Sequence, residues 1–464
     1  MTGDKTAHTL TARQVALRTL CSLDIKKHDT SRRLNRWLEH TDQHGRATDI
    51  VLGVVRNLAT IDAVLQKAGD ITQKRIQPQA LAILRTGAYE LLYTPQTAEH
   101  AIIYEAVELA RSVGSEKSAG FVNAVLRGIQ RIIENRCAAI DDCKLQQTIP
   151  TRPGYGCLLK EPLLPDKSSQ PAQYLSAAFS LPLWLMEQWI NLFGIATAQQ
   201  ICFASNRSPA VVAWPNTLLT DAESLLEILC SEGVRVQLSP DNQMLRLSSV
   251  GGVEKLDSFQ KGLFYIQDPA AAKTVRLLDV GPARLVLDLC AAPGTKTLAL
   301  AIRMKGKGKI IATDRSAARL DMVEQNRRRL ALENIEIVSP DDQNKLQSSK
   351  GLFDAVLADV PCSNCGVLAR RVEARWRLTE EAITSLAGRQ KKLLSEALNY
   401  VRSGGSVLYS TCSILPAENR QLIEEVLNER ADVCLALEEL TLPDVENPDA
   451  FDRDGAYAAV LIKK

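Results

Sequence analysis

Histidine is scarce in this chain, and it is absent where most of the sequence lies. Five histidines occur in 464 residues, His8, His28, His40, His44 and His100, and none follows residue 100. Chemistry in the last two thirds must therefore work without imidazole, which disfavours Ser-His-Asp hydrolysis and most His-ligated metal sites there. No run of about 18 apolar residues occurs, so no membrane span is expected. Met1–Leu10 is polar and lacks the apolar core of a signal peptide, which makes the cytoplasm the expected compartment. The net charge of +2 does not announce a nucleic-acid partner, and only local patches could do so. Eleven cysteines, an odd number spread over the whole chain, do not form a disulfide framework and are expected to be thiols, one or two of them reactive.

What is present is an ordinary globular composition, 45% hydrophobic and 24% charged. The chain is too long for one core and should split into two or three domains. Residues from about 9 to 135, in a domain of residues 1–136, read as helices only. Thr11 with Gln14 resembles a capping box, and Ala12, Ala16, Leu20 and Leu23 follow at helical spacing. At least five helices predict a compact all-α domain. It holds 19 Lys/Arg against 14 Asp/Glu, with Arg32, Arg33, Arg36, Arg46 and Arg56 in its first half. Charge alone reads as a solvated surface. Residues 137–174 read as a connector: Pro150, Pro153, Pro162, Pro165 and Pro171 interrupt it, and Gly154 and Gly156 loosen it. Cys137, Cys143 and Cys157 fall there without metal-site spacing. Residues 175–265 read as a small mixed α/β subdomain, with a helix over Leu181–Phe193 that places Trp184 and Trp189 in its core. Short β-like runs follow at Val211–Trp214, Val234–Leu238 and Met244–Leu247. Over 266–464 strands and helices alternate, which predicts a mostly parallel sheet with helices on both faces.

Leu285–Cys290 is a buried strand, Ala291–Thr297 a tight turn, and Leu298–Met304 opens a helix. Small residues at such a turn let a ligand approach the backbone at the carboxyl edge of the sheet. The spacing of a P-loop is absent, and so is G-x-G-x-x-G. The second strand, Lys309–Thr313, leads to Asp314, 26 residues after Asp288. A carboxylate there can accept hydrogen bonds from two ribose hydroxyls, or it can cap the helix that follows from Ser316. The third strand, Ile335–Val338, leads to Asp341 and Asp342, either of which could meet an adenine.

Two further segments put a thiol just past a hydrophobic strand: Phe353–Ser363, with Asp359-Val360-Pro361-Cys362, and Ser406–Ser413, with Ser410-Thr411-Cys412. Taken singly, a cysteine is more often an inert buried side chain. Cys362 and Cys365 also form a C-x-x-C, but no second C-x-x-C and no histidine lies nearby to complete a metal site. Two thiols and a carboxyl without histidine suit alkylation of cytosine at C5. A thiolate added at C6 makes C5 enamine-like, and a carboxyl at N3 stabilises the developing charge. Asp359, Cys362 and Cys412 supply that set.

These motifs resemble those of the NOL1/NOP2/Sun family of RNA cytosine-5 methyltransferases, and within it the bacterial 16S rRNA methyltransferase subgroup (RsmB, Sun or Fmu). The matching pieces are Gln267-Asp268-Pro269, Asp288–Thr297, Asp359–Ser363, Ser410–Ser413, Pro416-x-Glu418-Asn419 and Asp454-Gly455, in order over roughly the last 200 residues. The resemblance implies a NusB-like all-α N-terminal domain that binds rRNA, a small α+β (RRM-like) subdomain, and a Rossmann-like α/β domain of the class I S-adenosylmethionine-dependent methyltransferases. It implies that Cys290, Ala291, Ala292, Pro293, Gly294, Thr295 and Lys296 wrap the methionine end of S-adenosylmethionine. It implies Asp314 at the ribose, Asp341 (with Asp342 as the alternative) at the adenine, and Asp359 at the target base and cofactor. Cys412 becomes the nucleophile and Cys362 the promoter of product release. The implied substrate is cytosine 967 of 16S rRNA, free or in a small-subunit assembly intermediate, with no metal and no membrane partner; a monomer is expected. Methylation of tRNA, or a ribosome-assembly factor whose main job is RNA binding, are the alternatives. Three positions depart from the family pattern: Thr295 replaces a second glycine, Cys365 stands where a small residue or Thr is usual, and Ala213-Trp214-Pro215-Asn216 replaces Arg-Val-Asn. Arg370, Arg371, Arg375 and Arg377, with Trp376 among them, are solvated charge by default, and beside an RNA-modifying cleft become expected phosphate and base contacts.

Overall fold

The computed structural model describes residues 9–69, 76–248, 252–281, 284–342, 346–445 and 451–464. It divides into two compact units, Met1–Ser208 with Leu368–Arg377, and Pro209–Val367 with Leu378–Lys464.

The first unit begins with seven helices among the described residues: α1 (Ala12–Cys21), α2 (Thr30–Leu38), α3 (His44–Arg56), α4 (Leu58–Gly69), α5 (Pro78–Tyr93), α6 (Glu99–Val113) and α7 (Glu116–Ile132). The expected capping box is formed, with the Thr11 hydroxyl accepting from the Gln14 N–H and the Gln14 side chain accepting from the Thr11 N–H. Val15, Ile50, Val54, Ile61, Leu84, Leu91, Ile103 and Leu126 fill the core at helical spacing.

The stretch read as a connector is partly a sheet. β1 (Ile133–Ala139), β2 (Thr148–Arg152) and β3 (Tyr155–Leu159) pair antiparallel in the order β1-β3-β2. Pro153 and Gly154 (φ +77°) make the turn between β2 and β3 rather than a loose link. Pro150 lies on β2, an edge strand, where a missing N–H costs least. Ile149, Cys157 and Leu159 close onto the helical core. α8 (Pro171–Phe179) and α9 (Leu183–Asn206) complete this unit, and α9 is broken at Gly194 (φ +78°). Trp189 is fully buried, as expected, and Trp184 is half-buried.

The second unit holds two sheets. β4 (Val211–Pro215), β5 (Arg235–Leu238), β6 (Leu245–Ser248) and β7 (Phe264–Ile266) form an antiparallel sheet ordered β5-β6-β4-β7, joined by the helices α10 (Ala222–Ser231) and α11 (Asp257–Gln260). Its fourth strand was not visible in the sequence pattern, being three residues long.

The larger sheet contains β8 (Leu285–Asp288), β9 (Lys309–Thr313), β10 (Ile335–Val338), β11 (Phe353–Asp359), β12 (Val401–Thr411), β13 (Val433–Thr441) and β14 (Ala456–Lys463), ordered β10-β9-β8-β11-β12-β14-β13. The first four pairings are parallel and the last two antiparallel. Alternate strand residues feed two cores. Val286, Ala355, Leu357 and Leu408 pack with α12 (Pro269–Arg276) and α13 (Thr295–Arg303). Leu287, Val356, Ala358, Val407 and Tyr409 pack with α15 (Glu380–Tyr400) and α16 (Arg420–Glu429), while α14 (Ala317–Arg329) links β9 to β10. The chain leaves β8 toward β9 on one side and β11 lies on the other. The sheet therefore opens a crevice at the carboxyl ends of β8, β9, β11 and β12. Among the described residues, no helix is long and apolar enough to cross a membrane.

Candidate active site

Register explains why distant motifs meet. Leu357 pairs with Asp288, Asp288 with Ala312, and Asp359 with Ser410, so all four strands end at one edge. After β8 the turn Cys290–Gly294 crosses this edge, and Gly294 adopts φ +109°, a conformation a side chain would strain. Thr295, the residue that departs from the family pattern, is the first of α13. The turn is tied beneath by Asp288, whose carboxylate accepts from the Thr297 hydroxyl (2.7 Å) and the Cys290 N–H (3.3 Å). Burial outweighs those bonds and pushes the Asp288 carboxyl up to about 7. Burial likewise raises the Cys290 thiol.

Asp314 lies buried at the tip of β9. Its Oδ2 accepts from the Ala292 N–H (3.3 Å) and its Oδ1 from the Ser316 N–H (3.0 Å), so it both fixes the turn and shapes the entry to α14. Arg319, which the sequence reading missed, lies 3.8 Å from Asp314 and donates to the Ala292 carbonyl. A basic residue one turn into the helix after the strand-tip acid was the available signal. Asp341 and Asp342 share one exposed turn after β10, and both remain open to a ligand. A carboxylate at the tip of β9, further carboxylates past β10 and a small-residue backbone turn suit a nucleoside with vicinal hydroxyls.

The reactive groups sit next to this turn. Lys296 Nζ is 2.6 Å from Asp359 Oδ2, and the Ser410 hydroxyl donates to Asp359 Oδ1 at 2.6 Å. Burial works to lower the Lys296 pKa, but the Asp359 carboxylate more than offsets it, so the ammonium is held above its ordinary range. Beside this pair, Cys362 Sγ and Cys412 Sγ are 2.9 Å apart. The Cys412 thiol also donates to Asn364 Oδ1 (3.2 Å), and Asn364 Nδ2 donates to the Cys362 carbonyl (3.0 Å). Asn364 takes a left-handed conformation (φ +62°), which asparagine tolerates well. The hydrogen bond with Cys412, followed by burial, raises the Cys362 thiol well above its usual range, so Cys362 is a neutral thiol at pH 7. Ser410 stood in a motif and Asn364 beside one, but neither had a role in the sequence, because those roles depend on side-chain direction. Cys365 does not join Cys362 as a pair. It is buried against the Ser413 hydroxyl (3.1 Å), and desolvation pushes it up to about 12.

The expected RNA contacts divide. Arg375 is 1% exposed and donates to the carbonyls of Arg56 (2.7 Å) and Ser205 (2.9 Å) and to Asn206 Oδ1 (2.7 Å). Trp376 donates from Nε1 to the Val55 carbonyl (3.1 Å). Arg375 is committed to packing the first unit, which corrects its reading as a phosphate contact, whereas Trp376 is half-buried with its indole N–H used within that unit. Arg370 is half-buried. Arg371 and Arg377 are exposed; Arg371 pairs with Asp29 (2.7 Å), and Arg377 donates to the Ile25 carbonyl (3.1 Å). Trp214 is also structural, donating to the Gln267 carbonyl (3.0 Å), and Asn216 is buried on the carbonyls of Gly262 and Leu330.

Known proteins resemble this chain along most of its length. Three family models match along the chain: the NusB family over residues 10–131, an RsmF/B-like ferredoxin-like domain over 181–254, and the 16S rRNA methyltransferase RsmB/F over 275–460. The "Probable ribosomal RNA small subunit methyltransferase B" of Synechocystis sp. is 30% identical over 433 residues, covering 91% of this chain and 90% of that protein. Its namesake in Bacillus subtilis is 30% identical over 424 residues, with 90% and 87% covered. The crystal structure of PH0851 has the same fold, with a TM-score of 0.73 at 22% identity over 98% of this chain and 99% of that one. The fold is thus a NusB-type helical domain, a small ferredoxin-like domain and a Rossmann-like domain with a mixed sheet. The protein is a methyltransferase with S-adenosylmethionine as its cofactor, and it belongs to the 16S rRNA methyltransferase RsmB/F family.

Proposed function

We propose that the protein methylates C5 of one cytosine in small-subunit rRNA, cytosine 967 by the family resemblance, through a covalent bond between Cys412 and C6 of the base. One observation carries this reading: two thiols 2.9 Å apart stand at the ends of adjacent strands, beside a carboxylate held by a lysine and a serine. S-adenosylmethionine, when bound by Cys290–Lys296, Asp314 and Asp341, supplies an electrophilic methyl group. The Cys412 thiolate adds to C6, and the C5–C6 pair of electrons becomes available at C5. Asp359 accepts from the exocyclic amine, Lys296 and Ser410 hold that carboxylate in place, and a proton passed to N3 through the Lys296–Asp359 pair neutralises the negative charge that develops there. C5 accepts the methyl group, with S-adenosylhomocysteine left behind, and then loses its proton to a water molecule acting as base. The pair from the C5–H bond restores C5=C6, the S–C6 bond breaks, and Cys412 leaves as thiolate. Cys362, a neutral thiol in contact with Cys412 Sγ, assists that departure. The target base must be unpaired or flipped out to reach Cys412. The helical domain binds the rRNA, with Arg371 and Arg377 as exposed candidates for phosphate contact.

The test is transfer of labelled methyl groups to unmethylated 16S rRNA, bulk tRNA and DNA by wild type, Cys412→Ala and Cys362→Ala, followed by nucleoside analysis. Label is expected in 16S rRNA only, as 5-methylcytosine, and not with Cys412→Ala. Cys362→Ala is expected to accumulate an RNA–protein adduct that survives denaturing electrophoresis. Adduct from the Cys412 variant instead would reverse the two roles. Label in tRNA would overturn the substrate, and no label anywhere would favour an assembly factor.

A further inference from the structure

Beneath the two thiols lies a carboxylate that none of these steps uses. Glu418, in the turn between β12 and α16, is 0% exposed. Its Oε1 accepts from the Ser363 N–H (2.9 Å) and from Gln390 Nε2 (2.8 Å), and its Oε2 accepts from the Ser363 hydroxyl (2.5 Å). Gln390, on α15, also donates to the Pro361 carbonyl (3.0 Å). The backbone of Glu418 is itself fixed, since its carbonyl accepts from the buried Tyr409 hydroxyl (2.7 Å). Both chain neighbours of Cys362 are thus tied to one buried acid.

A buried carboxylate satisfied by neutral donors is an expensive choice for a merely structural joint. Its chemistry fits the task, because a carboxylate accepts at both oxygens and Ser363 presents two donors at once. A glutamine would turn an NH2 toward one of them. The position of Cys412 rests mainly on other contacts: the Gly366 N–H donates to the Cys412 carbonyl (3.0 Å), and Asn419 bridges Thr411 (2.7 Å) and Ser413 (2.9 Å), while the Ser363 hydroxyl reaches Ser413 Oγ only at 3.4 Å. Loss of the Glu418 contacts therefore releases the Cys362 side of the thiol pair first.

We propose that Glu418 is a positioning residue, which through Ser363 and Gln390 holds the Cys362 thiol against Cys412. Its place in the reaction, release of the product from Cys412, rests on the function proposed above. The two claims are tested separately on the full chain. Diamide removes two electrons and two protons from a thiol pair in contact, and closure of the Cys362–Cys412 disulfide, followed by mass spectrometry, reports their approach without any RNA. Glu418→Gln is expected to slow closure about tenfold, and Ser363→Ala severalfold, with far-UV circular dichroism confirming the fold. Closure at the wild-type rate in both variants overturns the proposal. Should Glu418→Gln not fold, Ser363→Ala decides alone. With rRNA present, Glu418→Gln is expected to raise the ratio of trapped adduct to released product at least fivefold, the direction also expected of Cys362→Ala. A merely structural defect lowers adduct and product together and leaves that ratio unmoved, which counts against the positioning role. If Cys362→Ala traps no adduct while Glu418→Gln still slows closure, the positioning role stands and the assignment of Cys362 to release falls.

Discussion

Asp288 is a residue whose environment conflicts with its charge. It sits under the cofactor turn, and burial, against the bonds from Thr297 and Cys290, pushes its carboxyl up to about 7. In the unfolded chain the same carboxyl titrates at about 3.9. Because the folded pKa is the higher, the stability this group contributes is fully present below about pH 4 and is lost as the pH rises through about 7. Asn at this position keeps one acceptor and carries no proton to lose. The advantage of Asp288→Asn over wild type is therefore expected to grow by about 1.4 kcal/mol per pH unit from pH 5 to 7 and to level above that. Urea midpoints of both proteins at pH 5, 6, 7 and 8 check this, and a pH-independent difference would show that the carboxylate is already ionised at pH 5. Asp288 and Asp314 both fix the backbone of this turn from buried positions.

At the scale of elements, the loop from β11 to α15 does the most within the site. Gly366 marks its closest approach, because a Cβ there would stand 2.7 Å from the Cys412 carbonyl oxygen and 3.0 Å from Gly455 Cα. Its N–H donates to the Cys412 carbonyl and its own carbonyl accepts from the Gly455 N–H (2.7 Å). Three sequence motifs, Pro-Cys, Thr-Cys and Asp454-Gly455, thus meet backbone to backbone. Gly366→Ala is expected to destabilise the protein by about 1–3 kcal/mol through overpacking, and to raise the rate of Cys412 alkylation as the loop moves off it. A urea titration and timed alkylation measure the two, and an unchanged midpoint would mean that the contact yields without cost. This loop also shows what was legible in the sequence. Asp359, Cys362 and Cys412 could be read because each lies at the end of a hydrophobic strand, a local pattern with a fixed position in the sheet. Glu418 was visible as part of a motif but had no role, because its partners Ser363 and Gln390 lie 55 and 28 residues away.

On the scale of the whole chain, sequence patterning failed where structure depends on distant pairing. β1–β3 looked like a linker because its prolines and glycines mark turns and an edge rather than disorder. The arginines of 370–377 looked alike, yet Arg375 is buried by residues more than 160 positions earlier in the chain. The first unit is consequently discontinuous: Leu368–Arg377 belongs with Met1–Ser208. Within it the Arg375 guanidinium, its pKa pulled down to about 9 by burial, serves the carbonyls of Arg56 and Ser205 and the Asn206 side chain. Without that segment these acceptors lose their donor, and each buried acceptor left unpaired costs about 1–3 kcal/mol. The helical unit is therefore complete only after residue 377 has been made, although its first 208 residues are contiguous. A fragment ending at Ser208 is expected to unfold at a temperature several degrees below the first transition of the full chain. The same fragment with residues 368–377 appended through a flexible Gly/Ser linker should recover most of that loss, and Arg375→Met in the appended segment should cancel the recovery. Scanning calorimetry of the three fragments beside the full chain makes the comparison, and equal midpoints for the fragments with and without the segment would show that the ten residues add nothing to the helical unit.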